Sequence, residues 1–371
     1  MSRPNNDPDD ANKLGEGSFG CVRRDGDVAV KSFARSRHYV REYLIGSLLD
    51  HKNIIKFHEQ KRLSCSSINM DLYDMSFKTW LSTHDDESQY CFVITEVLHA
   101  LNYLHFNEIV HADVKPDNIV LKVNKATGKI LKVVLCDLGI SNIRKYSLPQ
   151  LTSPLFKDPE CLNEKCHDIY SVGVMIITLF FRKTGTHYPD GICEEMKKQV
   201  MYDSIDTYVA KYKNRVPQKY RVVVRAMLTE SRVRPTAREC LRMLGCYPER
   251  LTRIHKSIVI DDDDINKYIH TYFKVEGRGV HRTKLFAYSV DRYFRRNDIA
   301  PPQCKRSKSY IYIRACFFII DSMCGTTILD RHPADEEDII IYANKLIKDE
   351  EFRREVTTPT ELLKKPRAKN E

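Results

Sequence analysis

The most constraining part of this sequence runs from Tyr90 to Gly139. Val93, Val97, Leu101 and Leu104 are spaced to line one face of an amphipathic helix over Tyr90–His105. A polar loop, His111-Ala112-Asp113-Val114-Lys115-Pro116-Asp117-Asn118, follows directly and leads into an apolar strand, Ile119-Val120-Leu121. Twenty-four residues after Asp113, a second apolar strand, Val133-Val134-Leu135-Cys136, runs into Asp137-Leu138-Gly139. A single aspartate in such a loop reads as a cap. Asp113, Lys115, Asn118 and Asp137 together, at these offsets, argue for chemistry.

The N-terminal stretch is strand-like from Leu14 to Phe33 after a short polar tail, residues 1–12. Leu14-Gly15-Glu16-Gly17-Ser18-Phe19-Gly20-Cys21-Val22 contains Gly-x-Gly-x-x-Gly, a spacing that also opens dinucleotide-binding folds. Here no helix follows the glycines. The next residues are an Asp25-Gly26 hairpin signal and then Val28-Ala29-Val30-Lys31. Glycine lets a backbone lie close over phosphate oxygens, and a lysine on the adjoining strand can neutralise them as a compact charge. An ordinary hairpin with a solvated lysine is the plainer reading of this motif alone. Val40, Leu44 and Leu48 predict a helix over residues 37–49, from which Glu42 could aim Lys31. Residues 53–71 read as further strands.

In this order, over about residues 9–247, the motifs resemble the signature set of eukaryotic-type protein kinases. The resemblance implies an α+β, two-lobed protein-kinase fold, with a small antiparallel β lobe and a larger, mainly helical one. It implies that Leu14 to Val22 cover the ATP phosphates and that Lys31 holds them while pairing with Glu42. Asp113 would be the base for the substrate hydroxyl, Lys115 would stabilise the γ-phosphoryl in transit, and Asn118 and Asp137 would ligate Mg²⁺. A carboxylate and an amide oxygen suit that hard cation. Structural roles would fall to Asp168, bracing the catalytic loop, and to Arg234, paired with Glu160. Lys115 within Asp-x-Lys-Pro-x-Asn, and Ser153, resemble serine/threonine kinases. The implied function is transfer of the ATP γ-phosphoryl group to protein Ser/Thr hydroxyls. A pseudokinase, binding and regulating a partner without phosphotransfer, is the alternative; it usually lacks one of these polar residues.

Three positions depart from the family pattern. Ala112 stands where an arginine usually precedes the catalytic aspartate, which implies activity independent of activation-loop phosphorylation. Leu138 replaces the phenylalanine of Asp-Phe-Gly, and Asp158 stands where the family usually has alanine before Pro159-Glu160. The small lobe is also abbreviated, with Glu42 only eleven residues after Lys31. In this it resembles kinases encoded by large DNA viruses.

The kinase-like part, residues 13–247, leaves residues 255–371 as a helical C-terminal domain. Helical segments are expected near 264–273, 285–294 and 310–323. Their order resembles a cyclin box, and a plain helical tail packed on the kinase is the other reading. Either could bind a regulatory protein. With 42% hydrophobic and 30% charged residues the composition is that of a globular protein, and no apolar run reaches the roughly 18 residues of a membrane helix. Twelve cysteines without a Cys-x-x-Cys pair predict reduced thiols in an intracellular protein. The net charge of +10 comes with no aromatic–basic motif, so no nucleic-acid partner is expected.

Overall fold

The computed structural model describes residues 12–17, 20–58, 67–139, 141–143, 154–160, 164–181, 216–254, 258–259, 315, 319, 336–357 and 363–364. The N-terminal part is an antiparallel sheet of five strands: β1 (Lys13–Gly17), β2 (Gly20–Asp25), β3 (Val28–Phe33), β4 (Phe57–His58) and β5 (Ser67–Asp71), in the order β1-β2-β3-β5-β4. β2 and β3 are joined through Gly26 and Asp27, with Asp25 opposite Val28 and Gly26 at φ +58°, the geometry a tight hairpin demands. Gly20 has a second constraint. A Cβ there would lie 1.9 Å from the Ser32 carbonyl oxygen, whereas Cβ atoms at Gly15 and Gly17 would meet open space.

Helix α1 (Ser36–Gly46) lies against this sheet. It ends at Gly46, three residues before the expected Leu49, and a side chain at Gly46 would collide with the Phe57 ring. Residues 53–55 are not a sheet strand. They run beside the end of β9 (Ile130–Leu135), with Ile55 N–H donating to the Leu135 carbonyl at 3.0 Å and Leu135 N–H to that of Asn53 at 2.9 Å. The Asn53 amide donates to Glu96 Oε2 and the Val133 carbonyl, so this irregular segment spans the two parts of the molecule.

The larger part begins with β6 (Met75–Ser76) and α2 (Phe77–Thr83), then α3 (Glu87–Phe106), β7 (Ile109–Val110) and β8 (Ile119–Val123). α3 starts where the Asp86 carboxylate caps the Ser88 N–H at 2.9 Å, and it buries Val93, Val97, Leu101 and Leu104 completely or nearly so. β6, β8 and β9 form one small sheet; β10 (Asn142–Ile143) pairs with β7. Helix α4 (Lys165–Phe181) carries the apolar run Val172–Phe181, and α5 (Gln218–Met227) packs against it. α6 (Ala237–Met243), opened by a Thr236–Glu239 capping box, packs on α3.

Past α6, a short β11 (Ile258–Val259) pairs in parallel with β12 (Leu363–Lys364). Between them in sequence lie two helices not anticipated above, α7 (Glu336–Lys348) and α8 (Glu350–Thr357). The segments expected as helices at 264–273 and 285–294 lie outside the described residues, as does 310–323 except for Ala315 and Ile319, both helical and fully buried. One apolar cluster links α1, α3, α4, α5 and α6 with α7 and α8. Among the described cysteines five are free; Cys166 is disulfide-bonded, contrary to the expectation of thiols throughout. No helix among the described residues is long and apolar enough to cross a membrane.

Candidate active site

β3 alternates its side chains, and Lys31 shares the buried face with Ala29 and Phe33. Its ammonium donates to both oxygens of Glu42, at 2.9 and 2.7 Å, and to Asp137 Oδ1 at 2.8 Å. Lys31 and Glu42 are only 7% and 2% exposed. Burial alone would lower the Lys31 pKa, but the two carboxylates around it outweigh that and hold it above its ordinary value. Burial likewise acts to raise Asp137. The charge and hydrogen bond of Lys31, with His111 and the Gly139 N–H, keep it below the usual carboxylate range. Asp137 sits at φ +63°, a left-handed backbone that costs a non-glycine residue roughly 1–2 kcal/mol.

A second cluster comes from the loop between β7 and β8. Asp113 Oδ2 accepts from the Lys115 ammonium at 2.6 Å and from the Asn118 amide at 2.8 Å; the same amide nitrogen donates to the Asp113 carbonyl. The two clusters are stitched together through the backbone. Cys136 N–H donates to the Asn118 carbonyl at 2.9 Å, which puts Asp137 beside the loop that carries Asp113. With the Asn118 nitrogen committed to Asp113, its oxygen is the atom left to meet a cation. Among the described residues no group of three or more His, Cys, Asp or Glu forms a metal cage. The donors on hand are therefore a carboxylate and an amide oxygen. That set fits Mg²⁺, which keeps waters and takes its other oxygens from phosphate.

Asp168, fully buried, fixes the loop from below. Its Oδ2 accepts from the His111 N–H and His105 Nε2, and its Oδ1 from the Ala112 N–H, each at 2.8 Å. Burial opposes its charge, but the hydrogen bond from His105 and the neighbouring His111 and His167 lower its pKa. These bonds offset the strain at Ala112, whose φ is +69°.

Leu14, Gly15, Glu16 and Gly17 lie exposed on β1, and Gly20, Cys21 and Val22 half-buried on β2; Ser18 and Phe19 lie outside the described residues. Between this strand pair and β8–β9 is a small apolar cluster built on Ala29, Ile55, Met70 and Val134, with Val22, Leu72, Tyr73, Val120 and Cys136 packed around it. It is separate from the main core. Apart from Val22, sequence reasoning missed this lining, since its residues come from five distant segments and each looks like ordinary core.

A buried lysine held by two carboxylates, with an aspartate, lysine and amide on the neighbouring loop and a small apolar cluster apart from the main core, is the layout of a nucleotide site. Residues 9–244 match the protein kinase domain family, well over half of the chain. The chain belongs to the protein kinase family.

Among the relatives of this kinase, NUAK family SNF1-like kinase 2 of Homo sapiens is 30% identical over 195 residues, 45% of this chain and 30% of that protein. Serine/threonine-protein kinase dkf-2 of Caenorhabditis briggsae is 29% identical over 216 residues, 50% of this chain and 17% of that protein. Striated muscle preferentially expressed protein kinase of Danio rerio is 25% identical over 252 residues, 62% of this chain and 8% of that protein. The kinase thus spans at most 30% of the length of these relatives.

One expected contact is replaced. Arg234 does not pair with Glu160. Its Nη1 is bonded instead to Asp158 Oδ2 and to the Cys166 carbonyl, and its Nε and Nη2 donate to the Thr229 carbonyl while the guanidinium lies over the Tyr170 ring. Asp158 and Arg234 have side chains 0% and 1% exposed, whereas Glu160 points outward and accepts from the Ser231 N–H at 2.9 Å. The aspartate two residues earlier already occupies the buried position facing the arginine, so the longer glutamate is displaced to the surface.

Proposed function

We propose that this chain is an active serine/threonine protein kinase that uses ATP and Mg²⁺. The observation that carries the reading is that Lys31, Glu42 and Asp137 are joined, through the Cys136–Asn118 backbone bond, to Asp113, Lys115 and Asn118 beside one small apolar cluster. The adenine would lie among Val22, Ala29, Met70, Val120 and Cys136, under the glycine-rich β1–β2 turn. Lys31, aimed by Glu42, would hold the phosphates. Asn118 and Asp137 would hold Mg²⁺, which when bound neutralises phosphate charge. Asp113 would orient the substrate Ser or Thr hydroxyl and take its proton as the oxygen bonds to the γ-phosphorus and the bond to the ADP oxygen breaks. Lys115 stands beside Asp113, placed to offset charge on the phosphoryl group in transit. Little covalent chemistry is asked of the protein, so placement and charge supply the rate.

The choice of Ser/Thr over Tyr rests on Lys115 in Asp-x-Lys-Pro-x-Asn and on the printed name of the dkf-2 relative. The partners this reading assigns are ATP and a protein substrate, with no nucleic acid.

The test is incubation with γ-labelled ATP and Mg²⁺, offering both generic protein substrates and the chain itself. Label on protein hydroxyls that disappears on chelating Mg²⁺, and in Lys31→Met, is the expected result. Nucleotide binding with no transfer to any acceptor above the Lys31→Met background would favour a pseudokinase and defeat the proposal.

A further inference from the structure

Helix α1 carries Glu42 to Lys31, yet little in its own sequence holds it in place. It has 11 residues, no side-chain cap at its N-terminus, no acidic residue in its first turn and no basic one in its last. Isolated helices of this length are marginal in water, so its position must come from packing. One side is supplied by the sheet, through Phe33 against Tyr39 with ring centroids 6.0 Å apart. Another is supplied by the C-terminal helices. α7 and α8 both pack against α1, and Ala343, Leu346, Ile347, Phe352 and Val356, none more than 2% exposed, join Tyr39, Val40, Tyr43 and Leu44 in the main core.

The corner between α7 and α8 is itself tightly built. Asp349 Oδ1 accepts from the Phe352 N–H at 2.8 Å, and Arg353 Nη1 donates to the Ile347 carbonyl at 2.8 Å while its guanidinium lies 5.9 Å from the centroid of the Tyr43 ring on α1. From α8 a further link reaches the large lobe. Arg354 Nη1 donates to the Ile254 carbonyl at 3.2 Å, and the Ile254 N–H donates to Asn107 Oδ1 at 2.9 Å. Asn107 caps the end of α3, four residues before His111 of the catalytic loop. A chain of contacts therefore runs from the catalytic lobe through α8 to the helix that aims Lys31.

We propose that α7 and α8 are a clamp in cis, with Phe352 and Arg353 as positioning residues that seat α1 and so hold Glu42 on Lys31. The proposal rests on the kinase reading given above and deepens it. It assigns the C-terminal region a role in the active conformation of the same chain, supplied by residues 336–357. The arrangement complements Ala112. A chain without the usual arginine at that position has the helix that carries Glu42 seated by its own C-terminus, and on the other side Arg41 of α1 donates to the Ser141 carbonyl at 3.0 Å.

The test uses the full chain. In Phe352→Ala, amide hydrogen exchange is expected to rise selectively in Ser36–Gly46 while Glu87–Phe106 keeps its protection. The kcat should fall by about 10²-fold, the loss a small misplacement of a catalytic group can cause. Phe352→Leu should restore most of both. Arg354→Ala, which removes the link to Ile254 together with an exposed ion pair to Glu350 within α8, keeps the test open should Phe352→Ala fold poorly, and should show the same selective change at smaller size. Unchanged exchange in α1, or an equal rise in α1 and α3, would overturn the clamp, since the helices would then add only general stability. A wild-type chain that transfers no phosphate would defeat the kinase reading instead. The exchange pattern would still decide whether α8 seats α1.

Discussion

Asp113→Asn should lower kcat by about 10²–10⁴-fold, the range that loss of a positioned general base produces, and leave nucleotide affinity within about twofold. The replacement keeps the shape and one acceptor oxygen, so the bonds from Lys115 and Asn118 to Oδ2 have a partner in the variant. What it loses is the capacity to accept the hydroxyl proton. Single-turnover transfer measured beside equilibrium binding of ATP separates the two effects. A variant that transfers phosphate at the wild-type rate would remove Asp113 from the chemistry. One that no longer binds nucleotide would show the residue to be chiefly a scaffold.

The second large effect concerns stability. Asp158→Ala should destabilise the kinase domain by about 3–5 kcal/mol, because it strands the buried Arg234 guanidinium. The bonds from Arg234 to the Thr229 and Cys166 carbonyls remain and place the loss near the lower end. For a domain of this size 3 kcal/mol corresponds to a melting temperature lower by roughly 6–12 °C. Glu160→Ala, by contrast, removes an exposed side chain and should cost no more than about 1 kcal/mol. Thermal melting of the two variants side by side decides the matter. If Glu160→Ala proves the more damaging, the arginine pairs as the family pattern implied and not as the structure has it.

That pair also shows where sequence reasoning reached its limit. Asp158 stood out as a departure from the family motif, yet the arginine was assigned to Glu160, because motif order says which residues are present and not which carboxylate reaches inward. The short-range cluster proposed as the active site was legible for the opposite reason. Asp113, Lys115 and Asn118 lie within six positions of one another, and loop geometry at that range is nearly fixed by the local sequence. Lys31 and Asp137 are 106 positions apart. Composition and periodicity say nothing of such a contact, and only the resemblance to a family of known architecture implied a shared cleft.

The helices α7 and α8 went unread although Ala343, Leu346 and Ile347 follow helical spacing and Asp349 is a natural cap. The acidic and basic residues around them masked the stripe, and its burial depends on α1, some 300 residues earlier in the chain. His105 carries no local signal either: it ends a helix whose periodicity marks only the apolar face, and its bond to Asp168 spans 63 positions.

The central claim is that these scattered side chains close around one magnesium-bound triphosphate. A crystal structure with Mg²⁺ and a non-hydrolysable ATP analogue tests it most directly. The expected result is the metal bound by Asp137 and the Asn118 oxygen at about 2.1 Å, the Lys31 ammonium on the phosphates, and the base against Ala29 and Val120. A nucleotide bound elsewhere, or a metal that leaves Asn118 and Asp137 untouched, would contradict it.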